Sequence, residues 1–401
     1  MLAICEYLIE TNADLSILLV TGSPVIHNLR LPAQLDYIKL PCLMRSDYEN
    51  YDVKFLGTEI GETIQLRSDL ILSAVANYKP DLFLIDKKPY GVKNELMMAL
   101  NYARLHLPES RRMLVLRDIL DSPQRTVQAW RKNGYYDAVE MFYDRVFVLG
   151  APEVFDLRRE YELPAYIAEK VSFCGYLQRK AAIRPRFEVR DEFRAGAGDK
   201  LVLLTPGGGQ DGFEILSTYL DSLECSPPGP ACRSILVSGP EMPQPQKEFL
   251  RRAAAKCPQT VFCEFTNDLM SLMNAADVVV SMGGYNTVCE LLSLDKRAVV
   301  IPRVRPAEEQ LIRAQRMAAR GLFSFLHPDR LTPASLKDAV SKELARGNVS
   351  PLASSKLDMG ALPNLAAALS LSRREPERVT TKAASFKFNA LRPAAAAGAF
   401  A

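Results

Sequence analysis

Residues 275–314 read AADVVVSMGGYNTVCELLSLDKRAVVIPRVRPAEEQLIRA, and this stretch decides the architecture. The run Asp277-Val278-Val279-Val280-Ser281 is β-branched, apolar and too short for a lone helix, so it predicts a strand buried on both faces, as in a parallel sheet. Gly283-Gly284 ends it. Asn286 and Thr287 are helix-capping residue types, and Val288, Leu291 and Leu292 keep helical spacing, which puts the glycines where a helix opens. A helix N-terminus offers unpaired N–H groups and the positive end of a dipole, so this turn suits an anion. Glu290 follows on the same helix. A second apolar run, 298–301, ends at Pro302 before Glu308-Glu309-Gln310. Backbone donors for phosphate thus stand beside carboxylate and amide groups suited to sugar hydroxyls.

Working outward, short apolar runs alternate with helical patterns for most of the chain, which predicts doubly wound α/β domains with parallel sheets. Strands are expected near 15–20, 37–40, 82–85, 113–116, 146–149 and 171–174, then near 201–204, 234–237, 261–263, 278–280, 298–301 and 323–326. A chain of 401 residues exceeds what one core usually supports. Residues 1–177 read as a first domain and 201–372 as a second. Between them 178–200, rich in Arg, Ala and Gly, reads as a linker, and 373–401 reads as a disordered tail.

The composition is that of an ordinary globular protein, with 48% hydrophobic and 24% charged residues. A net charge of +3 is too small to imply nucleic acid as a partner. The 8 cysteines contain no C-x-x-C pair, which fits a reduced, cytoplasmic compartment. No apolar run is long enough to span a bilayer, although peripheral contact with the inner face of a membrane stays open. His27, His106 and His327 lack the spacing of metal ligands, so no metal is expected.

After the expected strand at 201–204 comes Thr205-Pro206-Gly207-Gly208-Gly209-Gln210-Asp211-Gly212, which is literally G-x-G-x-x-G before a helix. A dinucleotide site would need an acid at the next strand tip, and Glu241 is only a loose candidate, so no nicotinamide cofactor is expected. The glycines hold phosphate, or they merely let a helix pack close to a strand.

Strand, glycine turn, x-T-x-x-E, a strand ending in I-P, then E-Q and a downstream R-A make a linked set that resembles the donor half of family 28 glycosyltransferases of the GT-B fold. That group includes the MurG-type N-acetylglucosaminyltransferases. The resemblance implies two Rossmann-like domains and a UDP-sugar as donor. Its donor contacts map onto Gly207, Gly208, Gly209 and Gln210, onto Phe265 and Thr266 at a strand tip, and onto Gly283, Gly284, Asn286, Thr287, Glu290, Glu309, Gln310 and Arg179. Glu290 corresponds to the ribose-binding carboxylate, and Arg179 to a phosphate-reaching arginine. Asp118 takes the place of a family glutamate and is the expected catalytic base. Asp86, Lys87, Tyr90 and Arg117 are the expected acceptor-side residues.

The family's first strand and G-x-G-H loop have no counterpart, since residues 1–9 read as an amphipathic helix; a start upstream of Met1 is expected. The implied reaction moves a hexosyl group, N-acetylglucosaminyl by resemblance, to an acceptor hydroxyl on a polysaccharide, a lipid-linked sugar or a small molecule. The alternatives are an epimerase or hydrolase of the same fold, or an inactive nucleotide-sugar-binding subunit.

Overall fold

A computed structural model of the chain describes residues 1–45, 50–180, 182–196, 198–224, 232–346 and 350–369. Each expected strand forms close to its expected limits. In the first domain they are β1 (Ile17–Thr21), β2 (Leu35–Lys39), β5 (Leu82–Asp86), β6 (Arg111–Arg117), β7 (Arg145–Leu149) and β8 (Val171–Phe173). A hairpin of β3 (Leu43–Arg45) and β4 (Tyr51–Val53), antiparallel with Leu43 opposite Val53, was not anticipated because three-residue strands are too short to show a periodicity. The expected N-terminal helix forms as Leu2–Thr11 and buries Ile4 and Leu8. The strands split into a parallel β1–β2 pair and a parallel sheet of order β5-β6-β7-β8, so the described part of this domain has no single continuous sheet.

The second domain is continuous. Its strands are β9 (Lys200–Thr205), β10 (Cys232–Val237), β11 (Thr260–Cys263), β12 (Val278–Ser281), β13 (Ala298–Val300) and β14 (Ser324–Phe325). They order as β11-β10-β9-β12-β13-β14, every neighbouring pair parallel. Leu201 to Leu204 and Val278 to Val280 are fully buried, which explains why both strands read as unbroken apolar runs. The chain leaves β9 toward β10 on one side and later returns to β12 on the other. The carboxyl ends of β9 and β12 therefore flank a topological switch point, where open α/β sheets leave a crevice.

Two expected boundaries change. The expected linker contains a helix, Arg186–Glu192, that buries Val189 against the second domain. Arg190 pairs with Asp277 at 3.1 Å, and the Arg184 amide donates to Ser271 Oγ. Arginines of the expected linker are thus anchored by carboxylates far along the chain, Arg184 by Asp268 and Arg190 by Asp277. At the other end, the helix Ala361–Ala368 returns to the first domain: Asn364 Nδ2 donates to the Cys174 carbonyl and the Tyr176 amide to the Asp358 carbonyl. Residues 358–368, inside the expected second domain of 201–372, thus pack on the first domain. The expected tail, 373–401, lies outside the described residues. Among the described residues no helix is long and apolar enough to cross a membrane.

Candidate functional site

Thr205 and Ser281 pair at the ends of β9 and β12, so the loops that follow start side by side. Gly207 has φ +77°, in the left-handed region that favours glycine. Its missing Cβ and that of Gly284 would each lie about 4 Å from Thr287 Oγ1 (3.9 and 4.0 Å), which puts the two glycine turns on either side of one hydroxyl. Gly284 is the N-cap of the helix Tyr285–Ser293, so Asn286 and Thr287 lie within its first turn instead of capping it. Asn286, Gln210 and Gly208 are exposed. Gly209 has a packing role as well as its expected place in the loop. Its φ is +96°, and a Cβ there would stand 2.1 Å from the Ser238 carbonyl, so this glycine serves close packing of the loops after β9 and β10. Gly212 likewise makes room for the Pro206 ring. The Glu241 carboxylate lies over Gly208, nearer than its sequence position suggested. Gly207 and Gly284 thus approach each other at Thr287.

Glu290, on the same helix, is largely buried and faces Arg179 at 3.6 Å. Burial raises its carboxyl pKa and the Arg179 guanidinium opposes that rise. The two expected residues are brought together, with Arg179 anchored by its amide to Ser293 Oγ at 2.8 Å. The helix Glu309–Ala318 starts near the tip of β13. Gln310 is buried and accepts from the Arg303 amide at 3.1 Å. Arg303 also reaches Asp211 at 3.3 Å and Glu309 at 3.5 Å, tying the first glycine loop to the E-Q pair. One buried oxygen of Glu309 has no hydrogen-bond partner. Phe265 is exposed beyond β11, and Thr266 Oγ1 accepts from the Asp268 amide.

Two first-domain expectations are corrected. Asp118 is 1% exposed and bound side-on by Nε and Nη2 of Arg313 at 2.8 and 2.7 Å, with the Tyr176 hydroxyl donating to it at 3.0 Å. A carboxylate so enclosed and engaged cannot take a proton from an acceptor, so it is not the base. Tyr90 is buried in the core, edge-on to Phe142, rather than facing an acceptor. Asp86 is exposed at the end of β5, and Arg117 lies over the Tyr285 ring of the other domain at 5.6 Å.

Lys87 lines a cavity of about 360 Å³ between the domains. Lys88, Lys93 and Lys132 line it too, with Trp130 on its wall and Glu309 across from them. Glu309 is the one carboxylate on that lining among the described residues. Lys87 was expected on the acceptor side; the pocket as a whole was not, because Lys132, Trp130 and Glu309 reach it from segments far from 87–93. Sequence reading also assigned no role to Arg303, Tyr285, Tyr176 or Arg313, although Arg313 stood in the R-A of the motif.

Residues 208–359 match the glycosyltransferase family 28 C-terminal domain. Over 194 residues the chain is 23% identical to an uncharacterized glycosyltransferase of Methanopyrus kandleri, covering 48% of this chain and 52% of that one. Over 79 residues it is 33% identical to the UDP-N-acetylglucosamine–N-acetylmuramyl-(pentapeptide) pyrophosphoryl-undecaprenol N-acetylglucosamine transferase of Clostridium kluyveri, covering 19% and 22%. The matches thus span about half, or less, of these curated relatives. Among solved structures, MurG of Acinetobacter baumannii aligns with TM-score 0.59 at 14% identity over 92% of this chain and 94% of that one. A putative UDP-N-acetylglucosamine 2-epimerase of Listeria monocytogenes aligns with TM-score 0.60 at 10% identity, covering 92% of each. The fold is GT-B.

Proposed function

We propose that this chain, whose second domain belongs to glycosyltransferase family 28, transfers a hexosyl group, in our reading N-acetylglucosaminyl, from a UDP donor to an acceptor hydroxyl. The observation that carries the proposal is the pair of glycine turns at the β9/β12 switch point, with Glu290 on the helix that the second turn opens. Backbone N–H groups there stabilise the departing diphosphate, as preorganised donors do for developing charge. Glu290 accepts from the ribose hydroxyls, Arg179 steadies that carboxylate, and Phe265 and Thr266 flank the base. Gln310 and Arg303 meet the sugar. With Asp118 enclosed, Glu309 is the carboxylate on the acceptor side of the cleft, and it accepts the proton of the attacking hydroxyl.

The lysine-lined cavity supports an acceptor that carries negative charge, in keeping with the pyrophosphoryl group in the name of the Clostridium relative. Phe55 and Leu56, just after the hairpin strand that supplies Tyr51 to that cavity, are exposed, which supports a lipid-linked acceptor and contact with the inner face of a membrane from the cytoplasm.

Thermal unfolding with UDP tests the donor assignment. At about 100 times Kd, UDP should stabilise the chain by roughly 2.7 kcal/mol. Glu290→Ala should keep the fold and lose most of that gain. Equal stabilisation of variant and parent would place the ribose elsewhere, and no response to any uridine nucleotide would overturn the donor assignment.

A further inference from the structure

Arg313 and Asp118 form a fully buried ion pair across the domain seam, each side chain 1% exposed. Burying two charges costs several kcal/mol per ion, and apolar residues of like volume often serve stability as well or better, so the pair calls for another explanation. The third contact of Arg313 supplies one. While Nε and Nη2 hold Asp118, Nη1 donates to the Gly283 carbonyl at 2.8 Å. Gly283 belongs to the glycine turn of the donor site. In a trans peptide the carbonyl and the following N–H point in opposite directions. Fixing the Gly283 carbonyl toward Arg313 therefore turns the Gly284 N–H away from the seam.

The surroundings hold Arg313 in this one pose. Tyr176 hydrogen-bonds Asp118, and the Tyr285 ring lies 5.7 Å from the guanidinium and stacks on Tyr176. Gly150 at the end of β7 lets Asp118 come this close, since a Cβ there would lie 2.5 Å from that of Asp118. One helical turn earlier the Glu308 amide donates to Asp121 at 2.8 Å, so the start of the Arg313 helix is pinned to the same first-domain loop. Burial, the largest single influence, would lower the Arg313 pKa, but the Asp118 charge and the hydrogen bonds to it, with Tyr176 and Glu309 nearby, together raise it above the usual value.

We propose that Arg313 is a positioning residue for donor binding: held by Asp118 of the other domain, it orients the Gly283–Gly284 peptide so that its N–H faces the diphosphate. This rests on the donor assignment above. It makes donor affinity depend on the docking of the two domains, although neither residue touches the donor.

The test compares UDP affinity by calorimetry for the full chain and two variants, at a temperature where circular dichroism shows all of them folded. Arg313→Lys keeps a cation beside Asp118 but lacks the planar fork that spans Asp118 and Gly283; UDP should bind at least tenfold more weakly. Asp118→Leu/Arg313→Met removes both charges together and should keep the melting temperature close to that of the parent, yet bind UDP at least tenfold more weakly. A double variant with parental melting temperature and parental UDP affinity would reduce the pair to a stability feature and overturn the proposal, as would parental affinity in Arg313→Lys. Hydrogen exchange on the unaltered chain gives an arm independent of any variant's folding. UDP should protect the Gly284 amide, and unchanged exchange there at saturation sinks the proposal while leaving donor binding intact. A parent that binds no UDP would overturn the donor assignment first, and this proposal with it.

Discussion

The two domains share one architecture and build their halves of the cleft from different materials. In the second, a continuous six-stranded parallel sheet brings two glycine turns together, and its half of the site is largely backbone. In the first, the sheet is divided between β1–β2 and β5–β8, and the cleft wall is made of side chains: Lys87, Lys88, Lys93, Lys132 and Trp130. A backbone site tolerates little change, because its donors move only if the loop moves. A side-chain site can be altered one residue at a time. The lesson is that donor binding should be brittle and acceptor binding graded, with the buried Arg313–Asp118 pair as the hinge between them.

The harshest way to break the comparison is at that hinge. Asp118→Ala leaves a buried guanidinium without its counter-charge, and the unfolding free energy should fall by about 3 to 5 kcal/mol. Urea titration measures it; a loss below about 1 kcal/mol would mean that the seam is hydrated and the domains loosely docked.

Next comes backbone brittleness. Gly209→Ala meets both a positive φ and the Ser238 carbonyl, and should lose about 2 to 3 kcal/mol together with UDP affinity. Gly57→Ala in the first domain, with open space around its Cβ, should stay within about 0.5 kcal/mol of the parent. Equal melting temperatures for the two variants would contradict the contrast between the domains.

A gentler probe is Lys87→Ala/Lys88→Ala. It should raise the acceptor KM roughly tenfold, the equivalent of about 1.4 kcal/mol, and leave UDP affinity unchanged. A parallel loss of UDP affinity would place these lysines on the donor side.

The smallest expected effect is a pH dependence far from the cleft. Burial first of all, and the nearby Arg186 charge with it, bring the Lys296 pKa from 10.5 down to about 8. Between about pH 8 and 10.5 the unfolded chain holds this proton and the folded chain does not, so the Lys296 contribution to stability rises with pH there; below 8 both states are charged and its penalty is at its full size. Buried thiols such as Cys289, pushed up to about 12 by burial, act in the opposite sense, because the unfolded chain releases their protons first. The difference between the parent and Lys296→Met isolates the lysine. Measured at pH 7.5 and 9.5, it should shift in favour of the parent at the higher pH. A constant difference would show that the ammonium is solvated.

How much could be read in advance follows from the range of the interactions involved. Short β-branched runs such as 278–280 are buried on both faces wherever they lie in the sheet, so they announce themselves locally. The Gly283-Gly284 turn and Glu290 lie on one strand-turn-helix unit, and their spacing is local too. The same local reading misjudged Asp118, since a carboxylate at a strand end looks alike whether it meets solvent or an arginine 195 residues away. It misjudged Tyr90, whose burial depends on Tyr135 and Phe142, and did not foresee that Gly209 packs against the Ser238 carbonyl of the next strand's loop. It named Lys87 but not the pocket around it, which Lys132, Trp130 and Glu309 complete from elsewhere in the chain.

The sequence by itself determined two α/β units, the strand positions and the glycine turn beside Glu290, because these rest on alternation and helical spacing within some forty residues. Only the tertiary structure decided which carboxylate is sequestered, where the cations converge and where the chain returns to the first domain. Charges and glycines take their meaning from what stands opposite them, and here that partner lies across a sheet or across the seam.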